Sequence, residues 1–217
     1  MLTLPIQYNG YFYTWGNLAP YVISYFHHFG GRDGSGEDVD LFDSIYFLPI
    51  GAGMLMIMNP AGAFLIKVVH PKLMIAVGSA IGVASALLAA RSTTFFQFLL
   101  AFAILNNVGV GLCYFPPLVC GWEWMHRRKG VVTGIILGAY GFSGFILSFV
   151  SLIIVNPNNV SPEVYPNGDL FYSKEISARV PYLLTVFAGI FGCLGFISLV
   201  LIKRNPDFVD SAPLLER

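Results

Sequence analysis

The sequence predicts an all-α membrane protein with six transmembrane helices, and three observations support this prediction. Hydrophobic residues make up 56% of the chain and charged residues only 11%, whereas a soluble domain usually carries about 25% charge. The apolar residues are gathered into six long segments that polar breaks separate. Because a helix needs about 20 apolar residues to cross a bilayer, the 217 residues of the chain hold six crossings with short connections.

The predicted helices are the six segments of highest hydropathy. The first is the most diluted, because Gln7, Asn9 and Asn17 interrupt it. An acidic, glycine-containing stretch at 30–43, a basic hinge at 126–129 and a polar loop at 156–179 separate neighbouring segments. We expect one bundle over 1–204 and a polar cytoplasmic tail over 205–217. The helices are placed near 2–28, 42–66, 72–90, 94–122, 130–155 and 181–202.

Basic residues divide unevenly between the two ends of the predicted bundle. The positive-inside rule assigns the richer end, and with it both chain termini, to the cytoplasm. The tail stretch 210–215 fits an acidic dileucine sorting pattern, and the plasma membrane, an endosomal membrane and an organelle membrane all stay open. The richer end has Lys67, Lys72, Arg127, Arg128, Lys129, Lys203 and Arg204, and the other has Arg32, Arg91, Lys174 and Arg179.

Residues 10–17, 62–72 and 109–144 carry glycine-rich, aromatic and basic motifs. These three stretches resemble the major facilitator superfamily of transporters, in particular its monocarboxylate and oxalate/formate branch. Residues 10–17 are similar to the glycine and aromatic opening of that branch. Residues 109–144 are similar to its fourth helix, basic loop and glycine-lined fifth helix. Residues 62–72 are similar to the cytoplasmic loop motif of the superfamily, although Ile66 stands where the family has an aspartate. The loop residues that carry this match are Gly62, Lys67, Pro71 and Lys72.

The resemblance implies the amino-terminal six-helix half of such a transporter. It further implies transport of a small organic anion, such as a monocarboxylate, by alternating access. A half of this kind would pair with a second six-helix half, with a copy of itself or within a larger membrane assembly. The alternative is a transporter-derived structural or accessory subunit without transport activity, which the loss of the aspartate at Ile66 favours.

Polar residues recur along one face of the first predicted helix. Gly10, Thr14, Asn17 and Tyr21 follow one another at steps of four and three, and a polar face against lipid is unfavourable. Helix four carries a comparable face. We expect these faces to line a substrate path near the bilayer midplane. The second interpretation is that the asparagines only form hydrogen bonds with neighbouring helices. The candidate path residues are Thr14, Asn17, Tyr21, Asn107 and Tyr114.

Five glycines leave one face of the fifth helix nearly free of side chains. Small residues let helix backbones approach in a membrane, so this face predicts helix packing within the chain. The functional alternative, which the resemblance implies, is a face that slides during transport. The glycines are Gly130, Gly134, Gly138, Gly141 and Gly144.

Other functional classes find little support in the sequence. The net charge is zero, so nothing indicates a nucleic-acid partner, and the lipid bilayer is the expected surrounding. Residues 141–144 have the spacing of an intramembrane serine protease nucleophile, but no histidine follows His126 to act as the base. We expect no enzyme activity, no cofactor and no metal site. Glu123 is expected to pair with Arg127 or Arg128 on the next turn.

Overall fold

The computed structural model of the protein describes residues 11–31, 34–165 and 168–206. The predicted helical residues 2–10 and the tail residues 207–217 lie outside the described residues. Within the described part the chain forms six long helices, and α2 to α6 are long and apolar enough to cross a bilayer. The predicted all-α membrane fold is confirmed. The helices are α1 (Tyr11–Phe29), α2 (Phe47–Leu65), α3 (Pro71–Ala90), α4 (Phe95–Trp124), α5 (Lys129–Val155) and α6 (Val180–Leu201).

Local capping signals start α3 and α4. Pro71 takes the first position of α3, where a missing N–H leaves no bond unmade. The Nδ1 atom of His70 accepts a hydrogen bond from the backbone N–H of Lys72 at 3.2 Å. At α4 the hydroxyl of Thr94 accepts from the backbone N–H of Gln97 at 3.3 Å. The cytoplasmic loop motif predicted at 62–72 is therefore a tight connection between α2 and α3.

Helix α4 is not a uniform α-helix. It is α-helical over Phe95–Phe98, π-helical over Leu99–Leu105 and α-helical again over Asn106–Trp124. A π segment of this length is rare, and π turns inside α-helices occur frequently at functional sites. The apolar segment predicted near 94–122 gives no indication of this π segment.

The main packing of the bundle runs through α3 and α4. Helix α3 packs on both α6 and α4, α2 packs on α4, and α1 packs on α5. Helix α3 therefore lies between α4 and α6 and links them.

Close backbone contacts hold α4 against its neighbours. A Cβ atom added to Gly109 would lie 2.6 Å from the carbonyl oxygen of Gly78 on α3. A Cβ atom added to Gly62 on α2 would lie 2.5 Å from the carbonyl oxygen of Gly111. Because these neighbours are backbone atoms, only glycine fits at the two crossings. Gly62, which the sequence analysis places in the loop motif, is thus a packing residue.

The glycine face of α5 has a different surrounding from the one expected. At Gly130, Gly134, Gly138 and Gly141, an added Cβ would meet no described atom within 4 Å. No described atom lies at packing distance from these four positions, so helix packing at this face stays a prediction. Gly144 is buried, and its carbonyl oxygen accepts a hydrogen bond from the hydroxyl of Thr14 at 3.1 Å.

Glu123 pairs with Arg204, so the prediction of a local partner at Arg127 or Arg128 is wrong. The Nε and Nη2 atoms of Arg204 donate to Oε1 of Glu123 at 2.9 and 2.6 Å. This hydrogen-bonded partner raises the pKa of Arg204 above its usual value. The chain after α6 returns across the end of α4, where it reaches a carboxylate that is almost fully buried. We call this end of the bundle, which also carries the loop 126–128, the basic end.

Replacing Arg204 with glutamine should lower the free energy of unfolding of the detergent-solubilised protein by about 1–2 kcal/mol. The carboxylate of Glu123 would stay buried without its cation, and the effect is limited because the Arg204 side chain is partly exposed to solvent. Thermal unfolding followed by tryptophan fluorescence measures the change. Lys203→Gln is the matched control, since its side chain is exposed. Equal unfolding temperatures for the two variants would contradict a stabilising ion pair between Arg204 and Glu123.

A polar cavity beneath the loop hairpin

The connection between α5 and α6 forms a β-hairpin at the end of the bundle opposite the basic end. Strands β1 (Glu163–Val164) and β2 (Leu170–Phe171) pair in antiparallel register, and one helical turn follows at Lys174–Ser177. The side chain of Asn156 closes the preceding turn, because its amide bonds both the N–H and the carbonyl oxygen of Val160 at 2.9 Å. In its described residues, 156–165 and 168–179, the predicted polar loop therefore contains a paired hairpin and a helical turn. We call this end of the bundle the hairpin end.

The hairpin is docked on α1 by three contacts. The backbone N–H of Tyr172 donates to the hydroxyl of Ser24 at 2.9 Å. The Nε2 atom of His28 donates to the carbonyl oxygen of Tyr172 at 2.8 Å, because a carbonyl oxygen can only accept. The ring of Phe171, which is buried, stacks on His27 with centroids 3.8 Å apart. These contacts fix the position of Tyr172 above the middle of the bundle.

A cavity of about 430 Å³ lies under the hairpin between α1 and α5. Its volume falls within the range of about 300–1,000 Å³ that is typical of small-molecule sites. Helix α1 contributes one wall, α5 the other, and the loop covers the top. No charged side chain lines it among the described residues. Its polar lining consists of Asn17, Tyr21, Ser148, Ser151, Asn159 and Tyr172.

Two tyrosines meet at the upper wall of the cavity. The rings of Tyr21 and Tyr172 have centroids 4.6 Å apart. Burial, together with the adjacent Tyr21, raises the pKa of Tyr172 to about 12. The hydroxyl of Tyr172 is therefore protonated at neutral pH, and its side-chain hydrogen bond with Tyr21 stabilises this neutral form.

The structure brings together two of the five candidate path residues. Asn17 and Tyr21 line the cavity. Thr14 is buried against α5, where its hydroxyl binds the carbonyl oxygen of Gly144. Asn107 is fully buried and its amide donates to the carbonyl oxygen of Ala103 in its own helix at 2.6 Å. Tyr114 lies among other aromatic rings, 5.8 Å from the ring of Tyr140, and is not part of this cavity.

Helix α5 and the hairpin contribute cavity residues that were not predicted. Ser148 and Ser151 are three residues apart on the mainly apolar helix α5, which is the same signal that identifies the polar face of α1. These two serines could therefore have been named from the sequence. Asn159 and Tyr172 reach the cavity only because the loop folds back over the bundle, and no spacing in the sequence indicates this.

Comparisons with known proteins find membrane transporters among the proteins that this chain is similar to. No protein-family model matches the chain. The chain is 29% identical to apicoplast pyruvate carrier 1 of Toxoplasma gondii over 233 residues, which cover 90% of this chain and 42% of the carrier. It is 23% identical to the MFS-type transporter opdF of Penicillium oxalicum over 112 residues, which cover 52% of this chain and 25% of that protein.

A third relative, the fujikurins efflux protein of Gibberella fujikuroi, is 27% identical over 88 residues, which cover 41% of this chain and 19% of that protein. The chain thus spans less than half the length of the curated relatives it matches. Its apolar helices and these similarities together support a multi-pass integral membrane protein that is related to transporters of small organic molecules.

Proposed function

We propose that the chain is a six-helix half of a major facilitator superfamily transporter, similar to the monocarboxylate and oxalate/formate branch. In this proposal it moves a small organic anion, such as a monocarboxylate, by alternating access. The observation that carries the proposal is the polar cavity between α1, α5 and the hairpin. Hydroxyl and amide groups inside a membrane bundle are unfavourable unless a protein group, water or a solute forms hydrogen bonds with them, and in a cavity of this volume water or a solute can do so. A pyruvate carrier among the relatives supports a carboxylate as the solute.

A second six-helix half would complete the transporter. The open side of α5 carries the uncovered glycines Gly134, Gly138 and Gly141 together with the exposed ring of Phe142. Helix α2 is the least buried of the five apolar helices. We infer that a second half, either a copy of this chain or a separate chain, covers these two faces. Because no cation lines the cavity among the described residues, that second half also supplies the positive charge for a carboxylate.

The remaining path residues extend the proposed route. Asn107 has a buried side-chain oxygen without a hydrogen-bond partner in the described part of the chain. Such an atom is unfavourable unless another conformation satisfies it. We infer that Asn107 and Tyr114 join the route when the cavity opens towards the basic end. In the same proposal both chain termini lie on the cytoplasmic side, which is the basic end.

An accessory subunit without transport activity is the second candidate. Ile66 occupies the position of the motif carboxylate at the end of α2, and neither Lys67 nor Lys72 forms an ion pair with a described residue. The charge pairing that such motifs use to hold one side closed is thus missing from the described part. An accessory subunit would keep the bundle and lose solute binding.

Solute protection of a cysteine in the cavity wall tests the proposal. Ser148→Cys, in a Cys193→Ser background, places a thiol in the cavity, while Cys113 and Cys120 are buried. In sealed proteoliposomes, pyruvate at ten times its Kd should slow labelling by a membrane-impermeant maleimide about tenfold, whereas glycerol should not. Ser35→Cys, on an exposed loop, is the matched control. Labelling of Ser148→Cys at the same rate with and without pyruvate would contradict the proposal.

A further inference from the structure

A second cavity lies on the outer side of the bundle, between α3 and α4. Its volume is about 550 Å³, and we call it the α3–α4 groove. Most of its wall is apolar, and three polar residues, Arg91, Ser92 and Gln97, gather at the hairpin end. The apolar wall consists of Leu88, Leu100, Ala101, Ile104, Leu105 and Val108.

The π-helical segment of α4 forms much of this groove. Leu100, Ala101, Ile104 and Leu105 all belong to the segment Leu99–Leu105. A π turn holds more residues than an α turn, so it displaces side chains from the regular packing rows along α3. The groove therefore has a structural cause that is independent of its polar residues.

The polar end of the groove is suited to an anion. Arg91 follows the last residue of α3, is exposed, and forms no ion pair with a described carboxylate. The side-chain oxygen of Gln97 accepts from the N–H and the hydroxyl of Thr93, both at 3.1 Å. Its amide nitrogen consequently stays available as a donor. A guanidinium fork and an amide N–H₂ together match the oxygens of a phosphate group.

The depth of the groove corresponds to one leaflet of a bilayer. From Gln97 to Val108 the helix rises about 15 Å, and half of a hydrocarbon core measures about 15 Å. The polar end therefore lies at the height of lipid headgroups, and the apolar wall lies at the height of acyl chains. A soluble anion would leave the apolar wall empty, and an acyl chain alone would leave Arg91 without a partner.

We propose that the α3–α4 groove is a binding site for one phospholipid. The phosphate contacts Arg91 and Gln97, and one acyl chain lies along Leu100, Ile104 and Val108. The site is separate from the cavity under the hairpin and does not depend on transport activity.

Native mass spectrometry of the purified chain in detergent tests the site with three probes. Dioleoylphosphatidylglycerol should remain bound to the native chain in a ratio of one to one. Dioleoylglycerol, which has the same acyl chains without phosphate, and inorganic phosphate should both dissociate. Equal retention of dioleoylglycerol would overturn the proposal, because apolar contact alone would then explain binding. Retention of inorganic phosphate alone would also overturn it.

Matched variants locate the site. Arg91→Gln should weaken phosphatidylglycerol binding about tenfold, the loss expected for one hydrogen bond to a charged group. Lys174→Gln removes an exposed cation at the same end of the bundle and should bind like the native chain. Val108→Trp fills the groove and should also prevent retention, whereas Val200→Trp on the exposed side of α6 should not. Native-like binding by both Arg91→Gln and Val108→Trp would refute the site.

Discussion

Replacing Gly109 with alanine should destabilise the bundle. The new Cβ would lie 2.6 Å from the carbonyl oxygen of Gly78 and 3.1 Å from the backbone nitrogen of Gly82. Both neighbours are backbone atoms of α3, so no side-chain rotation can relieve the clash, and the two helices must separate. Overpacking of this kind costs about 1–3 kcal/mol. A lowered unfolding temperature in detergent measures the loss.

Gly189→Ala, on α6, is the control for this experiment. An added Cβ at Gly189 meets no described atom within 4 Å, and alanine favours the helical conformation by about 1 kcal/mol over glycine. We therefore expect Gly189→Ala to unfold at the same temperature as the native chain or at a higher one. If Gly109→Ala were as stable as Gly189→Ala, the close crossing of α3 and α4 would be wrong.

The helices themselves were predictable because the bilayer leaves the chain little choice. In hydrocarbon every backbone N–H and C=O needs a partner within its own segment, so a long apolar stretch must be helical. The length of such a stretch is set by the thickness of the hydrocarbon layer. Pro71 and Thr94 then mark helix starts through ordinary capping chemistry.

What depends on contacts between distant residues was not predictable from spacing. The predicted partner of Glu123 lies one helical turn away, at Arg127 or Arg128. The observed partner is Arg204, which follows α6 and is distant in the sequence. The glycine spacing on α5 identifies a smooth face, yet spacing alone cannot say which helix covers that face. Gly109 and Gly111, where an added Cβ would meet a neighbouring helix, lie on α4. They belong to the stretch 109–144, which was interpreted only as similar to a transporter family and not as a packing surface.

The candidate site was predictable only in the part that depends on local sequence. The polar face of α1 is a local property, so Asn17 and Tyr21 could be named from periodicity. Tyr172 enters the cavity because Ser24 and His28 hold its backbone, which is a long-range arrangement. The π segment of α4 also follows from no local signal that we identify, and we have no physical account of why it begins at Leu99.

Uptake by proteoliposomes containing the native chain tests the central claim most directly. Asn17→Leu removes an amide from the cavity wall, and we expect initial uptake of radiolabelled pyruvate to fall about tenfold, as for a lost hydrogen bond to a charged solute. Asn158→Leu, an exposed asparagine outside the cavity lining, should transport like the native chain. The account predicts saturable uptake that Asn17→Leu impairs; a native chain that moves no pyruvate, with its oligomer intact, would contradict it.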